Sequence, residues 1–420
     1  MPKMISKDQL RQVIYEQKQR MPEKATLREI DSQLTECPEV LVISGVRRCG
    51  KSVLLQQIRN RREDKDYFLN FDDERLIHFT VDDFQTLSEV FAEEFGTQHD
   101  YYLDEIQNII GWERFVNRLY SSGKKVFITG SNANLLSREL GTFLTGRHVT
   151  HTLYPFSYKE FLAARNVEVD RKVMFTTQGR SMLIKLFREY LNVGGFPQYI
   201  FSQNMNYLTS LYNDIIYKDV LVRNRLTNEQ QMKELMFYLA SNATHRFTYN
   251  SLAKQAGIKS ADTAKSYVSH LESTYIISQL QKYDYSLGVQ LRSPKKAYCI
   301  DNAIINKIGF NVSENLGVLL ENTVFIELQR RGADVFYYFG EAECDFIIRN
   351  GYTVTEAIQV TVSMYDEKTR KREICGLCEA MRTFSLKTGL IITLDESEEL
   401  DIAETGKIHV VPVWRWLLGM

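Results

Sequence analysis

The chain has 420 residues, of which 44% are hydrophobic and 25% are charged, and its formal net charge at pH 7 is -1. This length and composition are typical of a globular protein with about two to four domains. The near-neutral charge excludes a general electrostatic attraction to nucleic acid or to an anionic membrane, so binding to either would need a local basic patch.

Cellular location follows from three features. The amino-terminal segment MPKMISKDQLRQVIYEQKQR is polar and lacks the apolar stretch of a secretory signal. No apolar run approaches the ~18 residues of a membrane span. The six cysteines are irregularly spaced, which is typical of reduced thiols rather than of a disulfide framework. We therefore expect a cytoplasmic protein that does not enter the membrane.

Helix and strand patterns alternate through the first part of the chain. An amphipathic helix is predicted over residues 6–20, and apolar runs that predict strands begin at Val40, Asp66, Tyr101, Val126 and His148. The segments between these runs have helical spacing. This alternation predicts a parallel, three-layer α/β domain over residues 1–155. Ligands of such sheets bind at the carboxyl ends of the strands.

A phosphate-binding motif directly follows the first strand. The segment GVRRCGKS fits the pattern G-x-x-x-x-G-K-[ST], whose backbone N–H groups cradle phosphates at a helix amino terminus. The predicted nucleotide ligands are Gly45, Val46, Arg47, Arg48, Cys49, Gly50, Lys51 and Ser52. Within this set Lys51 would reach the β- and γ-phosphates and Ser52 would bind Mg²⁺. The motif predicts a site for a nucleoside triphosphate.

The third strand ends in Asp104 and Glu105. Hydrolysis of a γ-phosphate needs Mg²⁺ and an oriented water. Asp104 would hold the metal and Glu105 would polarise the water as a general base. An Asp-Glu pair after a strand is often only a solvated strand end, but its position downstream of the phosphate loop favours the catalytic interpretation.

Three residues near the next two strands complete the predicted site. Ser131 and Asn132 follow the fourth strand and would sense the γ-phosphate, although Gly-Ser-Asn is also a common turn sequence. Arg147 precedes the fifth strand and would stabilise the transition state, in its own protomer or in a neighbouring one. A plain surface arginine is the alternative for Arg147.

Composition changes after the predicted core. Residues 156–225 have mostly helical patterns, and residues 226–292 have the rhythm of a winged helix-turn-helix. Its second helix would present Lys259, Ser260 and Lys265 to a major groove. Because residues 226–290 contain six Lys or Arg and five Asp or Glu, docking of a protein is an equally open alternative to binding of DNA.

Residues 293–420 predict a mixed α/β domain with the outline of a metal-dependent nuclease site. Glu321 lies on a predicted helix, and Asp345 and Gln359 lie on two strands. Such sites need a second acidic residue two positions before a lysine. Here those positions hold Gln359 and Thr361, so we expect the domain to lack one carboxylate and its cation, and to have no nuclease activity.

The ordered set of motifs resembles the prokaryotic AAA-type ATPases that carry a C-terminal domain of unknown function. The segments that carry the resemblance are GVRRCGKS, YLDEIQ, ITGSNANLLS, LTGR, YPFSYKEFL and GGFP, and they span much of the chain. The resemblance implies an ATPase core, a helical lid, a winged-helix segment and a C-terminal domain similar to PD-(D/E)xK, or restriction-endonuclease-like, nucleases. By family position it also implies that Lys51 and Ser52 bind phosphate and Mg²⁺. It further implies that Asp104 and Glu105 form the Walker B pair and that Ser131 or Asn132 is the sensor.

The expected activity is therefore Mg²⁺-dependent ATP hydrolysis that rearranges a DNA- or protein-binding module. The alternative is a nucleotide-dependent binding switch with little turnover. A GTPase is disfavoured because no N-K-x-D follows the sensor strand to recognise guanine. Both a monomer and a homo-oligomer remain open.

Overall fold

The computed structural model describes residues 5–19, 25–62, 66–131, 141, 143–310 and 315–419. The chain divides into two compact units, Met1–Tyr154 (unit 1) and Pro155–Met420 (unit 2). The four predicted domain ranges are finer than this division and stay predictions.

Unit 1 is built on a parallel sheet. Its strands are β1 Val40–Ser44, β2 Asp66–Asn70, β3 Asp100–Asp104, β4 Lys125–Gly130 and β5 His148–Thr152, in the order β2-β3-β4-β1-β5. Its helices are α1 Lys7–Gln19, α2 Ser32–Glu36, α3 Lys51–Arg61, α4 Asp83–Phe95 and α5 Trp112–Ser121, with 3-10 turns at Glu74–Leu76 and Ile106–Asn108. β1, β3 and β4 are buried along their whole length, as expected for central strands covered by helices on both faces.

The core of unit 1 explains why these segments fold as they do. α1 turns Leu10, Val13 and Ile14 inward, at the spacing of one helix face, and all three are fully buried. Phe84 of α4 stacks on Phe115 of α5 with ring centroids 4.2 Å apart. The helices therefore hold the sheet through aromatic and aliphatic packing, and the polar chemistry is left to the strand ends.

Strand order decides which side chains meet. β4 lies between β3 and β1, with Leu103 beside Ile128 and Ser44 beside Gly130. Because all five strands are parallel, their carboxyl ends lie along one side of the sheet, which is called here the carboxyl edge, and their amino ends lie along the opposite side. The predicted parallel α/β core is confirmed.

Unit 2 begins with helices and a small sheet. The helices are α6 Tyr158–Ala164, α7 Arg171–Phe175, α8 Thr177–Val193, α9 Pro197–Ser202, α10 Met205–Asp214, a π-helix over Ile215–Val222, α11 Glu229–Ser241, α12 Tyr249–Gln255, α13 Ala261–Ser273 and α14 Leu287–Arg292. The strands β6 Arg246–Phe247, β7 Ile277–Leu280 and β8 Lys295–Cys299 form an antiparallel sheet in the order β6-β8-β7.

A six-stranded mixed sheet forms the rest of unit 2. Its strands are β9 Asp334–Phe339, β10 Glu343–Asn350, β11 Thr353–Val360, β12 Thr388–Thr393, β13 Glu398–Ile402 and β14 Gly406–Pro412, in the order β13-β14-β12-β11-β10-β9. Its helices are α15 Asn302–Ile308, α16 Leu316–Arg330, α17 Glu367–Thr383 and α18 Val413–Leu417. β11, β12 and β14 run parallel and the other pairs are antiparallel. The predicted mixed α/β C-terminal region is confirmed.

No helix among the described residues is both long and apolar enough to span a bilayer.

Candidate nucleotide-binding site

The phosphate loop joins β1 to α3 and depends on two glycines. Gly45 has a φ of 147°, and a Cβ there would lie 2.2 Å from the carbonyl oxygen of Leu153. Gly50 has a φ of 103° and precedes the first residue of α3. A side chain is strained at either φ, so the loop conformation requires the glycines that the motif supplies.

Lys51 points into the middle of the loop. It is 4% exposed, and its Nζ donates to the carbonyl oxygens of Gly45 and Val46 at 3.1 Å each. Ser52, the next residue of α3, is exposed. The loop thus holds a fixed cation beside the helix amino terminus, which is the arrangement that suits a bound polyphosphate.

Arg28 supports the loop from outside, and the sequence did not predict it. Its guanidinium is buried and donates through Nη1 to the carbonyl of Cys49 at 2.5 Å and through Nη2 to the carbonyl of Tyr154 at 2.7 Å. It lies in an irregular segment with no recognisable pattern, so no local signal could have identified it. Arg28 ties the loop to the chain that follows β5.

Asp104 ends β3 and is held by neutral donors. Its Oδ1 accepts from Thr129 Oγ1 at 2.5 Å and its Oδ2 accepts from Asn70 Nδ2 at 2.9 Å. Burial, reinforced by the neighbouring Glu105 charge, raises the pKa of Asp104 to about 6, although hydrogen bonds from Thr129 and Ser52 oppose the shift. Ser52 and Asp104, the two residues predicted to bind Mg²⁺, line one pocket, and hydroxyl and carboxylate oxygens are ligands that Mg²⁺ accepts.

Glu105 is fixed through its backbone. Its φ is 52°, a left-handed value that costs a non-glycine residue ~1 kcal/mol. Its N–H donates to Thr129 Oγ1 at 2.9 Å, and its carboxylate accepts from Gln107. Thr129 therefore donates to Asp104 and accepts from Glu105, so one hydroxyl sets the position of both acidic residues.

Asn70, at the end of β2, also contacts Asp104 and was not predicted from the sequence. The Gln17 side chain of α1 accepts from the Asn70 N–H at 2.8 Å and donates to the Asn70 carbonyl at 3.0 Å. Asn70 is the last residue of β2 and Thr129 is the last but one of β4, and both strands lie next to β3, so aligning the ends of the predicted parallel strands would have found these residues. Beside Asp104 lies a pocket of about 310 Å³ lined by Ser52 and Asp104 among others.

Two family models match the chain. One, described as an AAA domain, matches residues 38–162, and the other, a domain of unknown function (DUF8612), matches residues 184–315. Uncharacterized protein MJ1544 of Methanocaldococcus jannaschii is 32% identical over 406 residues, covering 90% of this chain and 88% of that protein. The chain belongs to this family of AAA-domain proteins.

Two further similarities accompany this result. An uncharacterized protein of Haemophilus influenzae is 33% identical over 339 residues, covering 76% of this chain and 81% of that protein. Among solved structures, the Thermotoga maritima RuvB Holliday junction branch migration motor is 13% identical, with a TM-score of 0.28 and coverage of 65% of this chain and 88% of that chain. A TM-score this low supports no conclusion about the activity of the AAA-domain protein.

Arg147 does not lie beside the phosphate loop of the AAA domain. It precedes β5, and its carbonyl accepts from the N–H of Val40, the first residue of β1. The loop follows the other end of β1, ~13 Å away along a five-residue strand. The Arg147 guanidinium instead donates to Asn117 Oδ1 at 2.8 Å and lies over the Tyr120 ring. The expected role in its own protomer is therefore corrected, because Arg147 is at the opposite edge of the sheet.

The predicted sensor residues are Ser131 and Asn132. Ser131 directly follows β4, is 4% exposed, and lies at the same edge of the sheet as Asp104. Asn132 lies outside the described residues. Of the predicted catalytic set, the structure thus brings Lys51, Glu105 and Ser131 to one edge.

The predicted DNA-contacting residues of the AAA-domain protein lie around the start of α13. Lys259 and Lys265 are exposed. Ser260 is the amino-terminal cap of α13, with its hydroxyl accepting from the N–H of Thr263 at 3.1 Å. Lys265 is close enough to Lys295 of β8 to lower the pKa of that residue, after the larger effect of burial. Two lysines of this segment therefore lie near each other.

The predicted nuclease-like residues of unit 2 do converge, but around a lysine that the sequence missed. Lys296 of β8 is buried, and its Nζ lies 3.0 Å from Glu321 Oε1, 3.2 Å from Asp345 Oδ1 and 2.7 Å from Glu343 Oε1. Burial disfavours the charge of Lys296, but the surrounding carboxylates outweigh it and raise its pKa. The expectation that this cluster lacks a cation was wrong.

The other two predicted positions serve structural contacts. Gln359 Oε1 accepts from the Asp345 N–H at 3.2 Å, and its Nε2 donates to Glu373 of α17. The Thr361 hydroxyl donates to the Ser363 carbonyl at 3.4 Å. Burial, with the Glu321 charge next, raises the pKa of Asp345 to about 7. Within the described residues no group of three or more His, Cys, Asp or Glu side chains is arranged to hold a metal ion.

Proposed function

We propose that this AAA-domain protein is a Mg²⁺-dependent ATPase whose catalytic site is formed by the phosphate loop, Asp104 and Glu105. The observation that carries the proposal is the Asp104 network. A buried carboxylate that accepts hydrogen bonds from Thr129 and Asn70, with the Ser52 side chain close enough to lower its pKa, lies at the end of the sheet where the loop also lies. This arrangement suits a hydrolytic site better than a solvated strand end, since Asp104 is 1% exposed.

Each residue has a defined task in the proposed reaction. The loop N–H groups and Lys51 would bind and orient the triphosphate, which positions the γ-phosphate for in-line attack. Glu105, oriented through its N–H bond to Thr129, would take a proton from the attacking water. Ser52 and Asp104 would hold Mg²⁺, whose chemistry when bound is to neutralise phosphate charge. Ser131 would contact the γ-phosphate.

Glu105→Gln tests the assignment directly. The variant keeps the size and backbone contacts of the side chain but removes the base, so we expect ATP binding to persist and turnover to fall by ~10²–10⁴-fold. Glu89→Gln is the matched control, because Glu89 is a carboxylate on the surface of α4 that pairs with Lys7. Equal turnover in both variants would contradict the proposal, and competition by GTP stronger than by ATP would revise the nucleotide.

We further propose that turnover rearranges a module of unit 2 that binds duplex DNA. The supporting observation is the pair of exposed lysines Lys259 and Lys265 around the start of α13. We expect a salt-dependent shift of duplex DNA that ATP changes and that Lys265→Ala weakens, with a salt slope reduced by ~1. Binding that is indifferent to salt would instead favour a protein partner.

A setting in the reducing cytoplasm is part of the same proposal, since the six cysteines are free thiols.

Slow turnover with strong ATP-dependent DNA binding would favour a nucleotide-dependent binding switch over an ATPase that drives rearrangement of unit 2.

A further inference from the structure

A second concave surface lies on unit 1, at the edge of the sheet opposite the phosphate loop. It is a cleft of about 780 Å³ beside the first residues of β4 and β5. Four basic side chains line it, namely Arg62, Lys124, Lys125 and Arg147. Neither the matched family descriptions nor the proposed ATPase site gives this cleft a role.

Three of the four cations have neutral partners. Lys124 Nζ donates to the Gln98 carbonyl at 2.8 Å, Lys125 Nζ to the Glu39 carbonyl at 2.7 Å, and Arg147 Nη1 to the Asn117 amide oxygen at 2.8 Å. Within the described part of the chain, no carboxylate oxygen lies within 4.0 Å of these three groups. None of those described residues therefore neutralises these three charges, and Arg147 is exposed to solvent.

The acidic groups nearby belong to the fourth cation. Asp100 lies 2.6 Å from Arg62 Nε and also pairs with His99, and Glu36 lies 3.8 Å from the Arg62 guanidinium. Burial lowers the pKa of Lys125, so that residue is held in the cleft against a desolvation penalty. Set against the carboxylates of Asp100 and Glu36, the four cations leave this concave surface with a net positive charge of about two, which focuses the field for an anionic ligand.

The shape of the cleft indicates the ligand. The volume of about 780 Å³ is far larger than one phosphate needs, and the cleft is open to solvent along the sheet edge. Arg147 lies over the half-buried Tyr120 ring, and both residues line the cleft. Several cations on one open concave surface suit the repeated negative charge of a phosphodiester chain.

We propose that this cleft binds the phosphate backbone of a nucleic-acid strand. The cleft belongs to unit 1, whereas Lys259, Ser260 and Lys265 belong to unit 2, and within unit 1 the cleft lies at the opposite end of the strands from the ATP loop. ATP and the strand can therefore be held by unit 1 at the same time. Recognition is through backbone charge, so the cleft binds without sequence preference.

The test measures binding of a fluorescent oligonucleotide by anisotropy over a salt series, with saturating ADP and Mg²⁺ so that the phosphate loop is occupied. The double variant Lys124→Glu/Arg147→Glu reverses two cleft charges. We expect binding at least tenfold weaker and a salt slope flatter by ~2. The double variant Lys368→Glu/Lys371→Glu makes the same charge change on exposed residues of α17 and is expected to bind like the wild type.

Further variants separate the outcomes. Lys124→Glu alone removes only a hydrogen bond to the Gln98 carbonyl, so this variant tests the cleft if the double variant fails to fold. We expect it to change the salt dependence of binding by a slope of ~1. An equal loss in the α17 control, or a loss seen only in Lys265→Glu, would overturn the proposal. Tripolyphosphate that displaces the strand at the same total phosphate concentration would assign the cleft to small polyphosphates and would also overturn it.

Discussion

Asp104 of unit 1 and Asp345 of unit 2 are both buried aspartates whose pKa burial raises, to about 6 and about 7 respectively. Their surroundings differ. Asp104 accepts hydrogen bonds from neutral groups and lines an open pocket, whereas Asp345 faces the buried ammonium of Lys296. The first carboxylate keeps its charge available for an external cation, and the second is neutralised by the protein. Under the proposed function, the same residue type would serve a catalytic role in unit 1 and a structural role in unit 2.

The largest effect should come from removing the internal cation. Lys296→Met leaves Glu321, Glu343 and Asp345 without their partner, which we expect to destabilise unit 2 by ~3–5 kcal/mol. Urea denaturation measures the loss, and Lys371→Met on the surface of α17 is the control. An unchanged unfolding midpoint would show that the cluster is solvated and that the two aspartates are alike.

Removing the charge of Asp104 should increase the stability of the folded protein, whereas removing the charge of Lys296 should decrease it. Its pKa is raised from 3.8 to about 6 in the folded protein, so the native state binds the proton more tightly and wild-type stability falls as pH rises through that interval. Asp104→Asn avoids this penalty, and we expect it to stabilise the nucleotide-free protein by ~3 kcal/mol above about pH 7.

The pH dependence distinguishes that effect from a general gain in packing. Below about pH 4 the wild-type Asp104 carboxyl is protonated, and the amide of the Asp104→Asn variant is uncharged at every pH. The difference in melting temperature between the two proteins should therefore shrink toward zero as the pH falls to that value. A difference that stays constant from pH 4 to pH 8 would show that packing, rather than charge, is its cause.

Thr129→Val tests the hydroxyl that joins Asp104 to Glu105. Valine fills the same volume but loses both hydrogen bonds, so we expect kcat to fall by about 30-fold, from ~1 kcal/mol for each bond, with little change in ATP affinity. Thr150→Val on β5 is the matched control, since Thr150 is exposed. A lower affinity with unchanged kcat would mean that Thr129 supports the loop rather than the acidic pair.

The smallest effect should follow Arg147→Gln, because Arg147 lies at the far edge of the sheet from Lys51. At dilute protein we expect its ATP turnover to stay within about twofold of the wild type, less than the effect of one hydrogen bond. A fall that appears only at high protein concentration would assign Arg147 to the site of a neighbouring protomer.

The sequence predicted those parts of the fold whose determinants are local. The loop motif, the apolar strands and the helix periodicity each lie within short segments, so the parallel core and the acidic pair at Asp104 could be located from them. Arg147 was misjudged although the sequence held the answer, because a residue before a parallel strand lies at its amino end.

Long-range contacts were beyond the sequence. Lys296 is 49 residues from Asp345 and 25 from Glu321 along the chain, and it sits on a strand of a different sheet. No spacing rule connects those positions, so the motif alone suggested a site without a cation. Arg28 was missed for the same reason, since its partner Tyr154 is 126 residues away.

The most direct test compares phosphate release from Mg²⁺-ATP by Asp104→Asn and Asp345→Asn, each checked for folding. We predict that Asp104→Asn abolishes hydrolysis while Asp345→Asn retains the wild-type rate. Loss of hydrolysis in Asp345→Asn with full activity in Asp104→Asn would contradict the assignment of the chemistry to unit 1.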